Sequence, residues 1–215
     1  MEQAVFLGNL LGDGHVQKRG NSCRSKVAHG PKQTEYVLWK YEKLKRLTSN
    51  NHPPKVVQSK YGYETCFFYL NSGPYLKLYH DFFYQPYVWT SKNDSDQIKQ
   101  NIKPKIRYRK TITSDLVSTL PLDPMILAVW YMDDGSLRAG VSGCFATQCF
   151  LKHEVKYLQH YVGLFGIKTQ IVLHNRKKSQ YTLTIPAKHD NFKRFIALIK
   201  DFVLEVPCMH YKLPN

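Results

Sequence analysis

The sequence predicts an α+β fold made of two similar halves, each running αββαββα. Three observations carry that expectation. Two apolar nonamers, Phe6-Leu7-Gly8-Asn9-Leu10-Leu11-Gly12-Asp13-Gly14 and Leu127-Ala128-Val129-Trp130-Tyr131-Met132-Asp133-Asp134-Gly135, both close on Asp-Gly. After each one, strand-like sequence, an amphipathic helix, a hairpin and a further helix follow in the same order. Landmarks keep their spacing: Asp134 lies 121 residues after Asp13, Glu154 lies 119 after Glu35, and Gln148 lies 119 after His29. A drift of two residues is one altered turn in an internal duplication.

The elements follow in order. Glu2 to Leu11 reads as a short apolar helix, with glycine at Gly12-Asp13-Gly14 supplying its C-cap. Polar strand-like sequence runs from His15 to about Gly30. An amphipathic helix follows from about Gln33 to Leu47, with Tyr36, Leu38, Trp39, Leu44 and Leu47 as its apolar residues. Asn50 to Pro54 breaks the chain. Val56 to Leu70 has apolar and aromatic runs on either side of Tyr61-Gly62, a hairpin signature. A helix covers about Pro74 to Tyr84. Residues 86–100 fit a loop between the halves or a part of the strand face. Asn101 to Lys110 is strongly basic, and Leu116 to Pro124 is a Pro-containing connection. The second half then gives a short apolar helix (Pro124 to Met132), strand-like sequence (Leu137 to Phe150) and a helix (about Lys152 to Phe165). A hairpin (Ile171 to Ile185) and an amphipathic helix (about His189 to Val203) complete it. Residues 1–115 and 116–215 are the expected units.

Composition bounds the function. A chain of 215 residues can bury about 70% of its unfolded surface, enough for a real core. With 43% hydrophobic and 13% aromatic residues, it is no disordered polycation. The net charge of +15 therefore lies on a folded protein, and such a protein usually meets a polyanion, nucleic acid first. The charge is uneven: residues 1–115 hold a balance of +10 and residues 116–215 one of +5. No window is long and apolar enough to span a bilayer, and the helices lack a dense lysine-rich face for a membrane surface. Glu2 stands where a secretory signal needs positive charge. Five cysteines without a CxxC pair argue for a reducing compartment and against a disulfide framework or zinc knuckle.

The Asp-Gly ends carry the chemistry. A carboxylate at a helix C-terminus faces the negative end of the dipole, which costs about 0.3–1 kcal/mol. Stability alone would not choose Asp13 and Asp134. A divalent cation would reverse that sign, because hard cations select carboxylate and free carbonyl oxygens. Apolarity on nearly all sides fits two helices packed on each other, and Gly8 and Gly12 on one face suit close approach. Val129 and Asp133 stand at those places in the second helix, so the two sides cannot pack identically.

With its two nonamers, the tracts LLGDGHV, AVWYMDDGSL and the terminal MHYKLPN, the chain resembles the LAGLIDADG homing endonucleases, in particular their single-chain, two-motif branch encoded in organellar group I introns. The resemblance extends over nearly the whole chain. The second motif lacks the namesake glycine at Val129, a departure that this branch shares.

The resemblance implies two antiparallel four-stranded sheets forming a saddle on double-stranded DNA, with the motif helices packed at the interface. It implies Mg²⁺ (with Mn²⁺ as a substitute) at Asp13 and Asp134, near the backbone carbonyls of Gly12 and Asp133. Lys110 (in RKTIT) and Lys212 (in YKLPN) match basic residues near the scissile phosphates, one closing each half. The implied activity is a double-strand break in a long asymmetric target. The rivals on the same fold are group I intron RNA maturase activity, with host intron RNA as partner, and a non-catalytic DNA-binding regulator. A monomer is expected, in a mitochondrion or chloroplast, with bacterial cytoplasm as the alternative. Strand alternation would place polar residues on the DNA face. The candidates are Gln17, Lys18, Arg24, Lys26, Gln58, Lys60 and Tyr61 in the first half, and Ser136, Arg138, Gln148, Arg176, Lys178 and Gln180 in the second. The run Lys103, Lys105, Arg107, Arg109 and Lys110 suits DNA backbone binding.

Overall fold

Two apolar helices lie side by side at the centre of the molecule, and a four-stranded antiparallel sheet belongs to each. The computed structural model describes residues 1–48, 52–89 and 105–214, with Trp89 and Lys105 described by backbone alone. Helix α1 (Glu2–Leu11) buries every residue from Ala4 to Leu11, and α5 (Pro124–Asp134) buries every residue from Met125 to Met132. Asp123 caps α5, its Oδ1 accepting from Met125 N at 2.9 Å, and Pro124 opens the first turn.

The close approach of α1 and α5 depends on missing side chains. A Cβ at Gly8 would stand 2.7 Å from both Ile126 O and Val129 Cβ, and one at Gly12 would stand 2.5 Å from Asp133 Cβ. Each glycine of α1 thus faces its duplicate position in α5. Gly12 is not the left-handed cap expected of it, since its φ is −93°; it is required for contact instead.

The two sheets share one topology. In the first, β1 (His15–Arg19), β2 (Ser22–His29), β3 (Lys55–Gln58) and β4 (Glu64–Tyr69) run in the order β1-β2-β4-β3. In the second, β7 (Gly135–Arg138), β8 (Ser142–Phe145), β9 (Gln170–Asn175) and β10 (Gln180–Ile185) run in the order β7-β8-β10-β9. Helices α2 (Thr34–Lys43) and α3 (Pro74–Phe83) serve the first half, and α6 (Lys152–Gly163) and α7 (Asn191–Leu204) serve the second. A 3-10 helix, Pro207–Lys212, ends the fold. The expected α+β class and the repeated αββαββα order are both present.

Four local expectations change. The helix expected over 33–47 is α2 alone, flanked by 3-10 turns at Pro31–Gln33 and Lys45–Leu47. Strand-like sequence expected to Phe150 stops at Phe145, and a turn holds Thr147 to Phe150. The Pro-containing connection begins inside a short helix, α4 (Ser114–Thr119), which Thr113 caps by accepting from Leu116 N at 3.1 Å. The largest addition is an antiparallel ribbon of β5 (Tyr84–Trp89) and β6 (Lys105–Lys110), which the second half lacks among the described residues. Residues 90–100 and Lys103 lie outside the described residues.

Candidate metal and nucleic-acid site

The C-terminal ends of α1 and α5 meet at one place, and the charged groups of both halves converge there. Asp133 and Asp134 end α5, and Asp13 follows α1. Burial, followed by the charges of Asp13 and Asp133, pushes the Asp134 carboxyl up to about 7. Three acidic groups therefore crowd one another, the arrangement a divalent cation relieves. Their donors are hard oxygens, as Mg²⁺ and Mn²⁺ require.

Each half contributes one lysine that closes over its own motif. Lys110 Nζ donates to Gly12 O (2.8 Å) and Gly14 O (2.7 Å). Lys212 Nζ donates to Asp133 O (3.3 Å) and Gly135 O (2.8 Å), and also to Tyr131 O and Met132 O. Residues 133 and 135 are the duplicates of 12 and 14, so the two lysines repeat one geometry. Gly12 O and Met132 O lie at the helix ends, where carbonyls lack intrahelical partners at the negative end of each dipole, and Gly14 O and Gly135 O lie just past them. Burial holds both ammonium groups below their ordinary pKa while the neighbouring aspartates oppose that shift.

Beneath the aspartates lies a polar network that the sequence reading did not find. Lys40, on α2, is fully buried and has three acceptors for its three N–H groups: Asp133 Oδ1 (2.7 Å), Asn9 Oδ1 (2.8 Å) and His29 Nε2 (3.1 Å). Since Lys40 donates to Nε2, the His29 proton sits on Nδ1, which is 3.7 Å from Asp13 Oδ2. Burial, then the Lys40 charge, lowers the His29 pKa to about 3, so its ring is neutral. Asp13, His29 and Asp133 bring ligand atoms within 4.8 Å of one another. The ammonium on Asp133 nevertheless occupies that carboxylate, which leaves Asp13 and Asp134 as the available acidic donors.

Signals for this network were present. Asn9 interrupts an apolar nonamer, and Lys40 interrupts the apolar stripe Tyr36, Lys40, Leu44 at helical spacing. His29 is the duplicate of Gln148, whose turn is tied to the second motif by Ala146 N donating to Asp134 O at 2.9 Å.

The strand candidates divide by register. Gln17 pairs with Arg24, and His15 pairs with Lys26, which in turn pairs with Tyr69. These side chains share one sheet face with Arg19 and line a shallow pocket of about 250 Å³. Ser136 and Arg138 hold the matching face of the second sheet, opposite Cys144 and Ser142. Lys18 pairs with buried Cys23 and so points to the helix side, its Nζ 5.3 Å from the Tyr108 ring. Gln58 pairs with Glu64 at the same inward parity. Period-2 alternation excludes Lys18 and Gln58 from the face that carries Gln17 and Lys26. Lys60 and Tyr61 are exposed in the β3–β4 turn, and Arg176 and Lys178 in the β9–β10 turn. Gln180 opens β10 at an irregularity in the register, and Gln148 lies in the turn after β8. In the basic run, Arg109 is committed to the buried Glu154 carboxylate, with both terminal nitrogens bonded.

Known proteins match this arrangement. The model of the LAGLIDADG DNA endonuclease family matches twice, at residues 3–104 and 90–195. The chain is 26% identical to cytochrome b mRNA maturase bI2 of Saccharomyces cerevisiae over 99% of its own length, but spans only 47% of that protein. It is 24% identical to DNA endonuclease I-ChuI of Chlamydomonas applanata, over 100% of this chain and 94% of that one. In structure it is similar to homing endonuclease I-WcaI bound to its DNA recognition sequence, with a TM-score of 0.71 and 20% identity, covering 99% of this chain and 85% of that one. I-DmoI in complex with DNA and Mn gives a TM-score of 0.51 at 12% identity, over 92% and 95%. Two family matches on one chain, two sheets of one topology and two acid-ended helices in contact agree: the chain belongs to the LAGLIDADG DNA endonuclease family.

Proposed function

We propose that this chain is a site-specific DNA endonuclease that cuts both strands of a long asymmetric target by Mg²⁺-dependent phosphodiester hydrolysis. The observation that carries the reading is the duplicated constellation: two packed helices, each with an aspartate at or just past its C-terminus and a lysine on the carbonyls there. Asp13 and Asp134 would hold the cation, with the carbonyls of Gly12 and Asp133 beside them once Lys110 and Lys212 release them. When bound, Mg²⁺ (or Mn²⁺) stabilises negative charge at the phosphate and makes water a stronger nucleophile. Lys110 and Lys212 neutralise charge developing on the phosphorane-like transition state, one at each strand. Because the two aspartates sit where the halves meet, the two cuts straddle one narrow stretch of duplex.

Recognition falls to the sheet faces. Gln17, Arg24, Lys26, Ser136 and Arg138 share the outward faces and suit base edges or phosphates. Lys60, Tyr61, Arg176 and Lys178 extend that surface at the hairpin turns, with Gln148 and Gln180 at its margins. We read two units meeting close to residue 115, with α4 spanning the join. Both halves lie in one chain, so a monomer suffices, and unequal halves permit an asymmetric target. A mitochondrial or chloroplast location accords with the relatives; no described helix is long and apolar enough to cross a membrane.

The test is a duplex carrying the intron-less allele of the gene that hosts the coding intron. With Mg²⁺ it should be cut on both strands, and chelation should abolish cutting. The maturase relatives favour a second reading, RNA-splicing assistance. Uncut DNA together with faster splicing of the host intron would replace the first reading by the second.

A further inference from the structure

Two glutamates occupy duplicate places, and each reaches into the opposite half. Glu35 lies in the first turn of α2 and Glu154 in the first turn of α6. Glu154 is buried and accepts from Arg109 Nη1 (2.8 Å), Arg109 Nη2 (3.1 Å), Ile112 N (3.2 Å) and Leu151 N (2.6 Å). Arg109 and Ile112 flank Lys110. A second-half helix therefore grips the chain on both sides of the first half's lysine. Reciprocally, Glu35 Oε2 accepts from Cys208 N at 3.1 Å, in the 3-10 helix that presents Lys212.

We propose that Glu154 is a positioning residue for Lys110, and Glu35 a weaker one for Lys212, so that each half sets the lysine of the other. The proposal rests on the assignment of both lysines to cleavage. A lysine has a long flexible stem, and its ammonium reaches Gly12 O and Gly14 O only if its Cα is held. A bidentate Arg–carboxylate pair fixes direction as well as distance; Ile112 N ties down the chain just past the strand end, and Leu151 N holds Glu154 in the cap of its own helix. Glu35 is exposed and has one such bond, so its hold is looser. The arrangement ties the lysine at one strand to the docking of the two halves: Lys110 takes its place only when α6 is seated against the base of the ribbon.

Two readouts test this. The first is reductive methylation of lysine Nζ with formaldehyde and a borane reductant, read by mass spectrometry on the whole chain. Arg109→Gln and Glu154→Gln should raise Lys110 methylation about tenfold while Lys212 stays protected, whereas general loosening of the fold would expose both. Arg109→Gln leaves Glu154 anchored to Ile112 N and Leu151 N, which guards against a simple failure to fold. The second is strand-resolved cleavage of an end-labelled target. The strand slowed by Lys110→Met should be slowed between about tenfold and a hundredfold by Arg109→Gln, with the other strand little changed. Lys110→Met combined with Arg109→Gln should be no slower on that strand than Lys110→Met alone. Unchanged protection of Lys110 in both variants, or equal slowing of both strands, would overturn the proposal. If Lys110→Met itself cuts both strands at wild-type rates, the assignment of Lys110 to cleavage fails instead. The methylation result still decides the positioning.

Discussion

Replacing Lys40 by methionine should destabilise the protein by about 3–5 kcal/mol, the usual cost of removing one partner of a buried ion pair. The magnitude follows from the surroundings of Asp133. Its side chain and that of Lys40 both have 0% relative exposure, and their atoms stand 2.7 Å apart. Methionine would fill the volume of the lysine stem but leave the buried Asp133 carboxylate without its ammonium, with Asp13 N at 3.3 Å and the neutral His29 ring at 3.8 Å beside it. Asn9 Oδ1 would also lose its 2.8 Å donor in a buried position. The pair is not itself a large net stabiliser, because burial lowers the Lys40 pKa more strongly than Asp133 raises it. The double variant Lys40→Met, Asp133→Asn should therefore recover most of the loss. Urea unfolding measures this. With a slope of about 2.5 kcal/mol per molar, the single variant should shift the midpoint down by about 1.2–2 M. A single variant within about 1 kcal/mol of wild type would refute the uncompensated-charge reasoning. A double variant as unstable as the single one would show that packing rather than charge decides the site.

Three further outcomes are expected. Gly8→Ala should cost about 1–3 kcal/mol or more by forcing a Cβ against Ile126 O and Val129 Cβ, which thermal melting would show; a neutral effect would mean that the helices can part freely. The Asp134 pKa near 7 lies above its ordinary 3.8, so the stability given by its protonated form is complete below about pH 4 and is lost as pH rises toward 7. Mg²⁺ should then raise the Tm more at pH 8 than at pH 6, and Asp134→Asn should erase the difference; an equal rise at both pH values in wild type would contradict this. Lys26→Ala should flatten the salt dependence of DNA affinity by about one phosphate contact, while Lys18→Ala, at the opposite parity, should leave it unchanged. Fluorescence anisotropy over a salt series distinguishes the two.

The halves were legible because hydrophobic patterning and spacing are local properties. The nonamers announced buried helices, and the offset of 121 residues made Val129 and Asp133 the duplicates of Gly8 and Gly12, while the contact between these positions came only with the packing. What remained hidden depends on contacts across the chain. The ribbon of β5 and β6 joins segments separated by an interval with no hairpin signature, so its pairing could not be read from either strand. Strand parity was also hidden, because Gln17 and Lys18 are equally polar and only the register sends them to opposite faces. Lys40 looks like any helix lysine until Asn9, His29 and Asp133, from three other elements, supply its acceptors. Arg109 reads as one more phosphate ligand until α6 brings Glu154 against it.

The central claim is that Asp13 and Asp134 hold the cation that cleavage requires. Its most direct test is the Mg²⁺-dependent conversion of supercoiled target plasmid to linear product by Asp13→Asn and Asp134→Asn, with DNA binding measured in parallel. Both variants should bind the target and yield no linear DNA. Linear product at the wild-type rate from either variant would contradict the assignment.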